Sequence, residues 1–459
     1  MLYIKEREHN YHRKINALAP YCIVTLLILG VRYKGLTLAA LFICAVMLFF
    51  CEEKDYIPLL FIMVPFANIF KLSAESTSFF TYVELLFVIL HFFRSKRQVG
   101  FIHIIIILLS IFACLSEVIN QTIDIKRSIK FFSNLVLLTI LVDTDNPKEV
   151  NKLFKYYIIG FIISGIVAEY GSAIVPIDQY VKTQISRYND GSEVTRFAGL
   201  YPDPNYFTVN IIICSLLSIL LYEKKEIKLL TFIIYICMFA YFIGKTGSKS
   251  ALVMMIIPIL VFFGLMMKKR NYKVIIFGLI AIIAFLALMS TGKITIFSGG
   301  LRRFNLDSKE GIDQLSTGRY NIWVKYFEYF KSDPMRIIVG NSIGADYLRD
   351  LATHNTYIDL IYQLGVIGTL LYIWMILAVS KTNFDIHRKW ILSNSAVWVC
   401  VLIMYFFLSQ LQEFDLPFQI ALAVLWNNYD INSSNTQDEE IRKPIQPAFR
   451  YFKYNGDFC

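Results

Sequence analysis

The sequence predicts an all-α, polytopic bundle of transmembrane helices with a large extracytoplasmic loop that carries short amphipathic helices. Of the 459 residues 56% are hydrophobic and 17% charged, against roughly 45–50% and about 25% in soluble domains. A single aqueous core of this length could not hide so much apolar surface. The apolar residues fall in runs of about 17 to 22, close to the length that crosses bilayer hydrocarbon. Short charged links separate these runs, and one long polar interruption breaks the series at 291–353.

Candidate spans lie at 17–31, 35–51, 56–72, 79–93, 100–119, 128–142, 153–175, 206–222, 227–243, 250–267, 273–290, 356–379, 391–409 and 412–427, giving about 12–14 crossings. On this reading residues 1–459 form a single polytopic domain. The basic links Arg94/Lys96/Arg97, Lys224/Lys225/Lys228, Lys268–Arg270 with Lys273, and Lys381/Arg388/Lys389 fall on the same side as the basic N-terminus. By the positive-inside rule that side is cytoplasmic. Lys126, Arg127 and Lys130 fall on the other side and count against the scheme, unless they line a basic vestibule. Lys5, Arg7, Arg13 and Lys14 precede an apolar run with no small-residue cleavage site, so that run is expected to be a retained span. The loop 176–205 and the loop 291–353 then lie outside, and the polar segment 428–459 forms a cytoplasmic tail.

The net charge of +10 is spread over many links rather than gathered on one face, so no nucleic-acid partner is expected. The eight cysteines form no Cys-x-x-Cys pair and indicate neither a disulfide framework nor a zinc site. Asp143-Thr-Asp145 matches the Asp-x-Asp of metal-dependent sugar-nucleotide enzymes, but no residues remain for their soluble nucleotide domain, so no metal and no cofactor are expected. Glu84 and Glu169 lie in apolar runs, where a carboxylate is costly unless paired or facing a cavity.

The densest chemistry lies between Ser316 and Gly368. His354 is set apart from the other five histidines by its place in an outer segment, and His354, Ile358, Ile361, Gly365 and Gly368 recur at helical spacing. The histidine is expected in the first turn of a transmembrane helix, where the macrodipole favours neutral imidazole, with the glycines admitting a neighbouring helix. It is either a base or an interfacial histidine without a task. Arg319 opens a helix whose Ile322, Trp323, Tyr326, Phe327 and Phe330 share a face; that face is expected on the headgroup layer, with the helix ending at Ser332-Asp333-Pro334. Arg319 and Arg196 either touch lipid phosphates or form the bidentate contacts a diphosphate leaving group requires. Lys249, at a helix start in Gly244–Ala251, either holds an anion or belongs to a structural cap.

His354-Asn355, nine residues, Gly365, two residues and Gly368 resembles the His-Asn-x9-Gly-x-x-Gly element of the bacterial O-antigen polymerase and O-antigen ligase superfamily. Arg196-Phe-Ala-Gly-Leu200 is similar to the Arg-x-x-x-Leu element of its ligase members. Ser316-Thr-Gly-Arg319 and Thr246-Gly-Ser-Lys249-Ser-Ala also resemble family segments, the last with Lys249 where arginine is usual. The resemblance covers roughly Arg196 to Leu377.

The resemblance implies a multi-pass enzyme of the bacterial inner membrane with an extracytoplasmic active site. A glycan on undecaprenyl diphosphate would pass to the hydroxyl of an acceptor glycan, without metal. His354 would take the hydroxyl proton, while Arg319 and Arg196 would stabilise the departing diphosphate. Lys249, Asn355, Asn205, Tyr201, Asp203 and Tyr320 would contact substrate. A chain-length regulator and a flippase are possible partners beside the bilayer. Polymerisation of repeat units is favoured over ligation of finished glycan to lipid A core. A flippase for the same lipid-linked glycan is the rival from another class, but it would show internal repeats and more mid-span charges than this sequence does.

Overall fold

The computed structural model describes residues 18–94, 100–144, 146–180, 184–187, 193–270, 318–348, 351–381, 392–406 and 413–435, with scattered positions at 272–297 and 408–411. The chain divides into two compact units. The first gathers the described residues of Met1–Phe87, Lys148–Lys309 and Val399–Val401; the second gathers those of Val88–Pro147, Glu310–Trp398 and Leu402–Cys459.

The first unit contains α1 (Leu18–Gly30), α2 (Lys34–Phe50), α3 (Glu53–Met63), the start of α4 (Phe79–Arg94), α7 (Pro147–Tyr170), α8 (Pro204–Glu223), α9 (Leu229–Thr246), α10 (Lys249–Met254) and α11 (Ile256–Lys268). Its organising element is α8, apolar on every side and 83% buried along its apolar window, against 33% for α9. A helix without a polar face belongs in an interior, and α9, α10 and α11 pack on it. Its polar Asn210 accepts from the Tyr157 hydroxyl of α7 at 2.6 Å.

The second unit contains α5 (Phe101–Asn120), α6 (Ile125–Leu141), α12 (Arg319–Ser332), α13 (Pro334–Val339), α14 (Thr356–Lys381), most of α15 (Leu392–Tyr405) and α16 (Leu416–Asn435). On α5, Ile104, Ile107, Leu108, Ile111 and Leu115 stand exposed, while Ile105, Ile106, Leu109 and Ala113 are buried. A bare apolar stripe of this kind is a liability in water and ordinary in hydrocarbon.

Among the described residues, six helical segments are long and apolar enough to cross a membrane: Phe101–Asn120, Pro147–Ala173, Pro204–Glu223, Leu229–Thr246, Lys249–Lys268 and Thr356–Ser380. Leu18–Gly30, Lys34–Phe50, Ala396–Tyr405 and Leu416–Trp426 are shorter apolar helices. The expected span at 56–72 differs most. There α3 gives way to a 3-10 turn at Val64–Phe66, opened by Pro65, and every residue from Tyr56 to Ala67 is buried. That segment is interior rather than lipid-facing. Of the expected span at 273–290 only scattered positions are described, and most of 291–317 lies outside the described residues. Two elements were not expected. The loop 176–205 holds an antiparallel pair, β1 (Gln184–Arg187) with β2 (Glu193–Arg196), and the last helix continues to Asn435, into the segment read as tail.

In α14, Gly365 has φ 63 and ψ −177, which interrupts the helix. The chain just after α13 lies against this break. Asn341 N–H donates to the Tyr362 carbonyl at 2.8 Å and Ser342 N–H to that of Gln363 at 3.0 Å. Those carbonyls would otherwise be served four residues on, past the break. The end of α5 completes the pairing: Ser116 donates to Val339 O, Asn120 to Gly340 O and Thr122 to Asn341 O. A Cβ on Gly365 would sit 2.3 Å from Ile338 O, and one on Gly340, itself at φ 80, 2.4 Å from Gly365 N. Gly368 is the position where a neighbouring helix does come close, with Phe112 of α5 at 3.0 Å.

Gly365→Leu is therefore expected to lower the yield of monodisperse protein and its melting temperature, by roughly 3 kcal/mol or more in stability. Gly264→Leu, where a side chain meets nothing within 4 Å, should leave both unchanged. Thermal unfolding of the two variants in detergent checks the comparison.

Candidate active site

Arg196, Tyr201, Asp203, Asn205 and Lys249 lie in the first unit; Arg319, Tyr320, His354 and Asn355 lie in the second. In the first, Arg196 is the last residue of β2, and the next residue, Phe197, ties the strand end to α9 through Lys245 O at 3.1 Å. The Arg196 side chain is buried. Its Nε donates to Thr246 O at 3.2 Å and its Nη2 to Asn205 Oδ1 at 3.5 Å. The same Asn205 oxygen accepts from Ser248 at 2.6 Å and from Ser250 at 3.3 Å. Two stretches chosen separately in the sequence, Arg196–Tyr206 and Gly244–Ala251, thus meet at one carboxamide.

The remaining candidates of this unit have visible structural tasks. Ser248 caps α10, accepting from Ala251 N, and Lys249 is the first residue of that short helix. Asp203 caps α8 by accepting from Asn205 N at 2.6 Å, with Pro204 at the first helical position, where its missing N–H costs nothing. Tyr201 is 2% exposed, its ring against Phe161 and Phe207. Glu169 meets the requirement set by its apolar run: it pairs with Lys245 and accepts from the Tyr241 hydroxyl.

In the second unit, Gly318 at φ 81 makes the left-handed turn that launches α12, so the glycine of the Ser-Thr-Gly-Arg stretch is needed for the entry of Arg319 into the helix. Ser316 and Thr317 lie outside the described residues. Arg319 is half-buried and Tyr320 exposed. The apolar face of α12 does not lie free for the headgroup layer. Tyr326 and Phe330 are buried against Ile358 and Tyr362 of α14, with Ile322, Trp323 and Tyr329 packed around them; of the five residues expected to share a face, Phe327 stands exposed. One turn on from Arg319, Trp323 Nε1 donates to Thr353 O at 2.9 Å. The helix that starts with Arg319 is therefore docked onto the residue preceding His354. Burial raises the Tyr326 phenol well above its ordinary range, so it stays a neutral donor to Leu351 O while accepting from Leu348 N.

His354 does not stand in the first turn of α14. It adopts φ 50, a left-handed conformation uncommon for any residue with a Cβ, and the helix begins two residues later. Asn355 is the cap: its Oδ1 accepts from Tyr357 N at 2.9 Å and Ile358 N at 3.2 Å. The cap is fastened to the segment ending α15, where Thr356 donates to Leu408 O at 2.5 Å and Tyr357 to Leu402 O at 2.8 Å. The out-of-place charge of Arg127 also has a task here. It donates to Gly344 O and Ala345 O and pairs with Asp346 and Asp124, holding the turn that leads toward His354.

The sequence does not show Asp359's neighbours: it is 0% exposed in the first turn of α14, with Thr353 and Ser409 beside it. An aspartate inside an apolar span was the available signal.

Taken together, the described residues define an all-α, polytopic membrane protein with helices long enough to span a bilayer. Residues 230–373 match the family model described as O-antigen ligase, and the match supports the chain's place in the O-antigen polymerase and ligase superfamily. Lys249, Arg319, Tyr320, His354 and Asn355 fall inside the matched segment; Arg196, Tyr201, Asp203 and Asn205 precede it. No curated protein and no solved structure matches the chain.

The capping role of Asn355 is separable from any contact with substrate. Asn355→Ala is expected to cost about 1 kcal/mol of stability and Asn355→Asp only a few tenths, since both Asn and Asp cap well. Melting curves without substrate check this.

Proposed function

We propose that this protein transfers a glycan from a polyprenyl diphosphate carrier to the hydroxyl of an acceptor glycan, at the outer face of a bacterial plasma membrane. His354 is the base, and Arg319 and Arg196 hold the diphosphate. The observation that carries the reading is the docking of the Arg319 helix onto Thr353, next to His354, inside the segment that matches the O-antigen ligase family.

The chemistry needs a proton acceptor for the attacking hydroxyl and fixed positive charge for the leaving diphosphate. An imidazole in a turn locked by Asn355, Thr356 and Tyr357 suits the first task. A guanidinium at the head of a helix that is itself packed on α14 suits the second, because a cation held in place before the reaction pays no reorganisation as charge develops. Arg196, buried on Thr246 and Asn205, is a fixed guanidinium of the same kind.

Repeat-unit polymerisation is the first reading and ligation to a surface acceptor the second. The Arg196-Phe-Ala-Gly-Leu200 element leans toward the second. Cells lacking the protein distinguish them: single repeat units on the surface mark a polymerase, and long carrier-linked chains mark a ligase. Unchanged surface glycan would overturn both.

His354→Ala is expected to abolish transfer while the protein still accumulates in the membrane. Arg319→Lys and Arg196→Lys should each lower the rate about 10-fold or more, because a point charge does not replace a planar fork. Chain growth from purified lipid-linked glycan in liposomes measures all three. Full activity of both lysine variants would remove the diphosphate clamp.

A further inference from the structure

The mechanism above leaves unused a buried acid directly below the histidine turn. Asp359 lies four residues past Asn355, is fully buried, and sits in a helix otherwise dominated by apolar residues. Its Oδ1 accepts from the Thr353 hydroxyl at 2.6 Å, the shortest of the contacts that hydroxyl makes; Asn355 O lies at 2.9 Å and Ser409 Oγ at 3.0 Å. Ser409 is a second side-chain hydrogen-bond partner of the same carboxyl, and Oδ2 takes no hydrogen bond among the described residues. A half-satisfied carboxyl in a membrane helix is costly, and such groups mark functional positions by default.

The geometry shows what the carboxyl does. Thr353 is the residue before His354, and its hydroxyl also accepts from Asn355 N at 3.1 Å, on the other side of the histidine. One hydroxyl therefore spans the turn. His354, between the two anchored residues, keeps φ 50, a conformation that persists only where surrounding contacts impose it. The Trp323 indole fixes the Thr353 carbonyl from the α12 side, while Asp359 fixes the Thr353 side chain from the α14 side. A threonine hydroxyl has one hydrogen; without the carboxyl group it is free to turn toward Asn355 O or Ser409 and to release its hold on α14.

We propose that Asp359 is a positioning residue for the transfer: its buried carboxyl group holds Thr353, and through Thr353 the left-handed turn that presents His354. The proposal rests on the reading of His354 as the base. It places the precision of the site on a rigid helix one turn below the reacting group rather than on the polar loop before it.

The test compares Asp359→Asn, Asp359→Ala, Thr353→Val and the Asp359→Ala/Thr353→Val pair in full-length protein in liposomes, with two readouts. The first is transfer from lipid-linked glycan. Asp359→Ala and Thr353→Val should each lower kcat about 100-fold with KM within about twofold, the loss that a displacement of roughly 1 Å produces. Asp359→Asn, which keeps an acceptor oxygen for Thr353, should restore most of the rate, and the double variant should be no worse than either single. The second readout is the rate at which diethyl pyrocarbonate modifies His354, followed by peptide mass. It should change several-fold in the Ala and Val variants and stay near wild type in Asp359→Asn. Losses that multiply in the double variant, or an unchanged His354 modification rate in folded Asp359→Ala, overturn the proposal. Transfer by His354→Ala would instead remove the base assignment, and a changed modification pattern in Asp359→Ala would then still uphold the positioning.

Discussion

The second unit depends on one backbone exchange: the carbonyls of Tyr362 and Gln363, beside the break at Gly365, take their hydrogens from Asn341 and Ser342. In hydrocarbon an unpaired peptide group costs several kcal/mol, and irregular backbone survives there only where protein satisfies it. The broken helix is tolerable because another stretch of chain is fitted against the break. That stretch is in turn satisfied from its other side by Ser116, Asn120 and Thr122 at the end of α5. Three segments distant in sequence therefore fix one another, and the upper half of α14, with His354 at its head, is held by backbone pairing as well as by side-chain packing.

Much of the rest follows from that anchor. Because residues 339–342 are pinned, α13 and α12 are brought back over α14, and the aromatic face of α12 buries against Ile358 and Tyr362. Tyr329 joins the two layers by donating to Asn341 Oδ1 at 2.5 Å. The polar interruption of the sequence is, over its described part, not a free lid. It is a pair of short helices clamped at both ends, so that Arg319 enters on a helix held in place by packing and hydrogen bonds.

The six spanning helices among the described residues were legible because hydropathy and length are read residue by residue and lipid makes one demand of all of them. The start and end of α12 were legible for a similar reason: Gly318 and Asp333-Pro334 act locally. The burial of its apolar face was not, since an amphipathic helix looks the same whether it lies on headgroups or on another helix. The spacing of His354, Gly365 and Gly368 reads as one continuous helix, yet His354 precedes the cap and Gly365 breaks the middle. Both departures are left-handed residues stabilised by partners far away in the chain, and no local pattern encodes those partners. The β1–β2 pair that ends in Arg196 escaped notice because two four-residue strands are too short to show an alternation.

Asp359 illustrates the same limit from the other side. Single acids in apolar runs were weighed at Glu84 and Glu169, and Glu169 proved to have its partners in Lys245 and Tyr241. Asp359 differs because its strongest partner, Thr353, is six residues away, across the very turn that holds the histidine. A carboxyl that served stability alone would do better replaced by an apolar side chain, since burying so polar a group costs more than its hydroxyl contacts return. What it supplies at that depth is geometry. A base must be within hydrogen-bond reach of the hydroxyl it deprotonates, and a histidine held only by a loop would spend much of its time elsewhere.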